Sequence, residues 1–399
     1  MRTLTLPSLR VGPLPLPQGG RGALAAIFAY FFASLFAFSA AAADIPPPTQ
    51  AILKALGMPA SVLDGLDAEL AVPPAWIAAA KKEGKLRING TWEPKEEEKV
   101  LEPFHVRYPF ISVTYARASR QDRSLRPLVA LKEGRILTDV VSGLGATIIA
   151  YREAGALLPL DDLPGYKTLP SELKAADGIW VGHQMNYWCT AFNTSKATKA
   201  EMPRTWEGFL DPQRWGDGRL GVGNRANLWL LPLEDVKGQQ WAEDYATKLF
   251  QTLKPQRRKE GANALLNLVM LGEFDVAIPV AQYRLGGTYG KDAPVAWHCP
   301  DPVPTTVQGI AVIKQTPAPN AARLYVNWLL SREGQLAQYE AVNAAPSHPA
   351  LQDPQFLSFA AEIAGKEHAF RSPELLEQKS WKDLQQRWNR LWEGAGAAP

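Results

Sequence analysis

"KLRINGTWEPKEEEKVLEPFHVRYPFISVTYA", residues 85–116, decides the fold class. "KLRING" alternates Leu86 and Ile88 on one face, as a short strand does. Pro94 suits the first turn of a helix, where its missing N–H costs nothing. Val100, Leu101 and Phe104 then give that helix an apolar stripe. Tyr108-Pro109 closes it, because proline disfavours helical backbone in the residue before it. "ISVTYA" alternates again through Ile111, Val113 and Tyr115. A helix over 125–131 and a buried strand in "TDVVSGLG", residues 138–145, continue the series. Strand and helix in strict alternation predict a parallel sheet covered by helices.

The same alternation returns downstream. "TWEGFLDPQRWGDGRLGVGN" reads as a helix, an Asp-Pro break, a turn and a strand. "WAEDYATKLFQTL" and "GANALLNLVMLGE" read as amphipathic helices, and "FDVAIPVAQY" and "TVQGIAVIK" as strands. From Asn320, a good N-cap residue, the chain turns helical. Trp381, Leu384, Trp388, Leu391 and Trp392 share one side of the last helix, a spacing that reads as docking onto a core. Residues 44–75 read as a leader with one short helix, around 61–70, wrapped on the main body.

The N-terminus sets the compartment. Arg2, Arg10 and Arg21 precede an apolar run, 23–38, that ends in small residues. That pattern predicts a secretory signal over 1–43, cut after Ala43. The rival, a retained anchor, is disfavoured by the small-residue end and by Pro46-Pro47-Pro48. Loss of residues 1–43 removes three arginines and no acid, taking the formal charge from +3 to zero. A near-neutral chain lacks the footprint of a nucleic-acid or anionic-membrane binder. Arg117, Arg120, Arg123 and Arg126 are spaced along one side of a helix and read as a solvated face, Arg117 excepted. With 46% hydrophobic residues and 13 Trp the core needs no staple. Two cysteines in an exported chain are nonetheless most simply a pair.

Enzyme signatures are missing. The histidines at 105, 183, 298, 348 and 368 never reach metal-ligand spacing. No nucleophile elbow or phosphate loop occurs. Gly143 and Gly145 begin a dinucleotide fingerprint, but Ile148 stands at its third glycine. His298 and Cys299 are sequence neighbours, and on an extended chain neighbours point to opposite sides, which argues against a thiol nucleophile. No catalytic residue, cofactor or resident metal is expected.

"PPAWIAAAKKEGKLRING", "TDVVSG", "MPRTWEGFLDPQRWGDGRLGV", "VMLGEFDVAIPVAQY" and "NAARLYVNWLLSREGQ" occur in that order over residues 73–335. Together they resemble the extracellular solute-binding proteins of ABC importers, class II, ferric-iron-type subgroup. The resemblance implies an α/β, two-lobed class II periplasmic binding protein fold. Each lobe would be a mostly parallel sheet flanked by helices, and two crossing strands would form the hinge. It divides the chain into a first lobe at 76–186, a second at 187–304, and a return to the first at 305–399 with the C-terminal helices. It implies a monomer that captures a small organic or anionic solute and delivers it to a permease in the inner membrane. A secreted enzyme on the same scaffold is the alternative of another class, since fold does not fix function.

In such folds ligands sit beyond the C-terminal ends of parallel strands. That rule selects Thr91, Trp92, Arg117, Gly143 and Gly145 in the first lobe, and Asn224, Arg225, Trp229 and Tyr283 in the second. Tyr187 and Trp188 enter the hinge. Side-by-side hinge strands would bring Cys189 to Cys299 as a disulfide. Ferric relatives hold iron with adjacent tyrosines, whereas the matching position here reads Gln282-Tyr283-Arg284. Glu93 and Tyr283 would be the two oxygen ligands in the ferric alternative, and Fe(III) wants more.

Overall fold

The structure, a computed structural model, describes residues 45–119, 121–287, 293–352, 357 and 359–394. The expected signal at 1–43 and Arg120 of the arginine stripe lie outside the described residues. No helix among the described residues is long and apolar enough to cross a membrane.

Among the described residues ten strands form one sheet. They are β1 (Lys85–Gly90), β2 (Ser112–Arg117), β3 (Val140–Ser142), β4 (Val181–Asn193), β5 (Leu220–Gly223), β6 (Gln256–Arg258), β7 (Val276–Ala281), β8 (Val295–His298), β9 (Val303–Val312) and β10 (His368–Arg371). The order is β2-β1-β3-β9-β4-β7-β5-β6, with β10 on β9 and β8 on β4. β1 pairs parallel with β2 and β3, and β5 pairs parallel with β6 and β7. Between these parallel groups β4 and β9 run antiparallel, with Tyr187 opposite Thr305. Two parallel groups of strands joined through a pair of long adjacent strands are the expected α/β architecture with its two-stranded hinge.

The halves have separate cores. Leu86, Ile88, Val100, Phe104 and Val140 pack with Tyr325 and Trp328 in one. Trp206, Trp215, Trp229, Tyr245 and Phe250 form the other. The helix Lys379–Gly394 joins this second core through Leu384, Trp388 and Trp392. Docking of its Trp stripe was expected, but on the first lobe. It packs instead on the helices Ala226–Lys237 and Gln239–Lys248, where the large aromatic surface lies.

Local differences have local causes. The leader contains an additional helix, Pro47–Leu56, because the proline run supplies the first turn. Thr49 donates to Glu333 at 2.6 Å, fastening the leader to the body. Glu333 is wholly buried and also takes Arg107 Nη2 at 2.9 Å and Trp328 Nε1 at 2.9 Å. The helix expected to start at Asn320 runs Pro319–Leu330. Its free N–H groups at Asn320 and Ala321 are taken by the distant carboxylate of Glu83, a cap no local sequence signal reports.

Cys189 on β4 and Cys299 just after β8 form the expected disulfide, with Cα atoms 4.8 Å apart across 110 residues of chain.

Candidate functional site

The end of β1 builds one wall of a cleft. Gly90 is required there: a Cβ on it would sit 1.9 Å from the Tyr115 hydroxyl. That close approach lets the Trp92 N–H donate to Tyr115 Oη at 2.9 Å. Glu96 accepts the Glu93 N–H at 2.8 Å and fixes the start of the helix Pro94–Arg107. Trp92 is thus held with its ring stacked on Tyr115, centroids 5.6 Å apart and planes within 5°.

His183 backs this wall, edge-on to Trp92 at 6.0 Å. Gln338 donates its amide to Leu329 and Gly334 carbonyls, so its Oε1 accepts from His183 Nδ1 at 2.7 Å. The lone pair of Nε2 therefore faces the Ser142 hydroxyl at 2.8 Å. Burial, opposed in part by the Gln338 bond, pushes His183 down to about 4. The ring is neutral at physiological pH and acts as support.

The cleft in front of Trp92 encloses about 410 Å³. Of the residues selected from the sequence, Thr91, Trp92, Arg117 and Tyr283 line it, as does Glu93. Gln184 and Asn186 enter from β4, and Gln308 from β9. Glu340 and Asn343 enter from the end of the helix Arg332–Val342. Three buried polar atoms of this lining, Trp92 Nε1, Gln184 Oε1 and Arg284 Nε, have no hydrogen-bond partner among the described residues. In a low-dielectric wall such atoms are costly unless something binds them.

The charges in the cleft are mostly spent. Glu93 pairs with Arg117 at 3.0 Å, and Glu340 with Lys99 at 3.8 Å. Glu96 serves the helix start. Arg284 lies over the Tyr283 ring at 4.6 Å and has no acidic partner among the described residues. Trp188 supports Tyr283 edge-on at 6.2 Å.

The other selected residues do different work. Trp229 is fully buried in the second core, against Trp206 and Trp388. Asn224 bonds Trp388, and Arg225 is exposed at the start of the helix Ala226–Lys237. Trp188 is buried with its Nε1 on Thr306 at 2.9 Å, behind the cleft rather than in it. Tyr187 faces the opposite side of β4, its hydroxyl 3.3 Å from Gln352 Oε1. The Gly143 N–H is taken by Gly309 O at 2.8 Å, and with φ at +67° between Gln308 and Thr91 the glycine shapes the loop without lining the cleft. Gly145 has open space around it and is not among the lining residues. Arg123 of the expected solvated face donates to Ala118 O and Gly143 O, which pins the same loop.

Gln184 and Asn186 were missed. The signal was present: in "QMNY" polar residues alternate with Met185 and Tyr187, so the polar pair shares one face. Glu340 and Asn343 carry no such signal, because only the return of the chain brings them here.

The sequence profile of the bacterial extracellular solute-binding proteins matches residues 111–365. Comparison with curated proteins finds no significant match. Among solved structures, iron-bound HitA from Pseudomonas aeruginosa superposes with a TM-score of 0.61 at 22% identity, over 78% of this chain and 99% of that one. A putative extracellular solute-binding protein from Bordetella parapertussis gives 0.64 at 16%, over 77% and 99%. The ferric binding protein from Campylobacter jejuni gives 0.60 at 14%, over 78% and 99%. At these identities the structures establish the two-lobed fold. On the profile match, the chain belongs to the family of bacterial extracellular solute-binding proteins.

Proposed function

We propose that this protein captures a small organic anion between its lobes and passes it to the permease of an ABC importer. It works as a periplasmic monomer after loss of residues 1–43, with lobes divided near 187 and 304 and the last helix returned to the second. The observation that carries the anion is the charge inventory of the cleft. Its carboxylates have partners, Arg284 has none among the described residues, and Trp92 Nε1 is a buried donor in need of an acceptor. A carboxylate or phosphonate supplies both needs. Binding would close the lobes about β4 and β9, and only a solute that prefers the closed state can drive that motion.

The ferric reading has Tyr283 and Glu93 in the cleft in its favour. Against it, Tyr283 is the one tyrosine among the described residues that line the cleft, and Glu93 is already paired with Arg117. Thermal-shift titration against small carboxylates, phosphonates, amines and a ferric salt of an inorganic anion tests the assignment. A saturable rise with acids or phosphonates, with the compound recovered intact by mass spectrometry, is the expected result. A rise with amines or ferric salt alone overturns the anion, and turnover of the compound overturns the binding role.

A further inference from the structure

A second compartment of about 450 Å³ lies beside the cleft. Asn343 lines both spaces, and the consecutive residues Gln282 and Tyr283 each line one. The walls of the second combine apolar surface from Trp297, Leu285, Tyr339 and Phe359 with polar surface from Gln282, Asn343 and Glu362. Its acid, Glu362, is already committed. Burial opposes its ionisation, but bonds from His298, the Cys299 N–H and Lys199 hold the carboxyl far below the usual range. The compartment therefore asks for no cation.

Gln282 lines it and carries an unsatisfied donor. The residue is 6% exposed. Its Oε1 accepts the Tyr187 N–H at 2.8 Å, and its own N–H donates to Tyr187 O at 3.2 Å. The amide cannot be flipped without losing the first bond, so Nε2 is directed away from the strand. Nε2 is buried and has no partner among the described residues. A buried amide donor fixed in this way needs an acceptor.

We infer that the two compartments form one elongated site for an amphipathic organic acid. The acid group lies with Arg284 and Trp92 Nε1. A carbonyl accepts from Gln282 Nε2, an N–H donates to Gln184 Oε1, and an apolar tail fills the space between Trp297, Tyr339 and Phe359. N-acylated small amino acids with an aryl or alkyl acyl group have this pattern. The inference rests on the organic-anion reading and adds the tail and the amide to it.

Isothermal titration with N-acetylglycine and N-benzoylglycine separates the two claims, because the probes share an amide and a carboxylate and differ in the ring. N-benzoylglycine binds roughly tenfold or more tightly, since ring burial is favourable, with a more negative heat-capacity change. Gln282→Glu keeps the acceptor for Tyr187 and removes the donor. Ala361→Phe narrows the compartment from an exposed position. Ala361→Phe brings the affinity ratio of the two probes down toward one, whereas Gln282→Glu weakens both probes, because they share the carbonyl. Equal affinities in the parent protein, a ratio untouched by Ala361→Phe, or two affinities untouched by Gln282→Glu overturn the second compartment and leave the anion reading standing. Binding of neither probe overturns the anion reading and this inference with it.

Discussion

The indole Nε1–H of Trp388 donates to Oδ1 of Asn224 at 2.8 Å, so a residue at the end of β5 holds the last helix and not a solute. Trp388 is fully buried between Trp229 and Phe250. Asn224→Ala would leave that donor without a partner, at a cost of about 1–3 kcal/mol. Urea denaturation should show this loss, while the affinity for the solute stays within about twofold because no new charge reaches the cleft. A loss of affinity with stability intact would return Asn224 to the binding site.

The βα alternation could be read because Leu86 and Ile88, or Val100 and Phe104, repeat at the period of their element. The hinge strand hid its faces for the opposite reason. Every residue from Val181 to Asn193 is buried, so hydrophobic alternation vanishes and aromatic residues look equally suited to either side. Tyr187 and Trp188 were selected on chemistry, and the side they face was decided by β9 and the segment around Gln352. Trp229 failed likewise: it follows a strand end, but Trp206 and Trp388 arrive from elsewhere in the chain to bury it.

The disulfide closes a loop of 110 residues between β4 and the end of β8. Chain-entropy reasoning gives about 4–5 kcal/mol for a loop of that length. The measured cost of Cys189→Ala with Cys299→Ala should not exceed this. Glu362 accepts the Cys299 N–H at 3.0 Å and Lys366 donates to Cys299 O, so the backbone stays anchored when the sulfurs are gone. Guanidinium denaturation of the double variant measures the difference. No change in midpoint would show that the bridge adds nothing to stability.

His183 gives the fold a defined acid sensitivity. Its folded value of about 4 lies below the unfolded 6.5, so between those values the unfolded chain binds the extra proton. Its neutral form costs nothing above pH 6.5, and stability is lost as pH falls from about 6.5 toward 4, by ~3 kcal/mol in all. His183→Gln stays neutral throughout that window. Urea denaturation at pH 7 and pH 4.5 should therefore show a steeper loss in the parent than in the variant. Equal losses would mean that the buried ring does not set the slope.

Arg284 and Trp92 should separate charge recognition from wall formation. Arg284 contributes a guanidinium over Tyr283 with no ion partner among the described residues, so Arg284→Gln removes attraction for an anion without stranding an acid. A charge-assisted contact of about 1.5–3 kcal/mol corresponds to roughly 10–100-fold in affinity. The parent should lose affinity with added salt more steeply than the variant, because screening acts on the charge that the variant lacks. Trp92→Phe keeps an aromatic face against Tyr115 and deletes the Nε1 donor, a neutral hydrogen bond of about 0.5–1.5 kcal/mol. Its affinity should fall by roughly 2–10-fold with the parent's salt dependence unchanged. Titration of an organic carboxylate into both variants at two ionic strengths reads these differences directly. If Arg284→Gln binds as the parent does at both, the anion does not sit beside Arg284, and the charge inventory of the cleft has been assigned to the wrong partner.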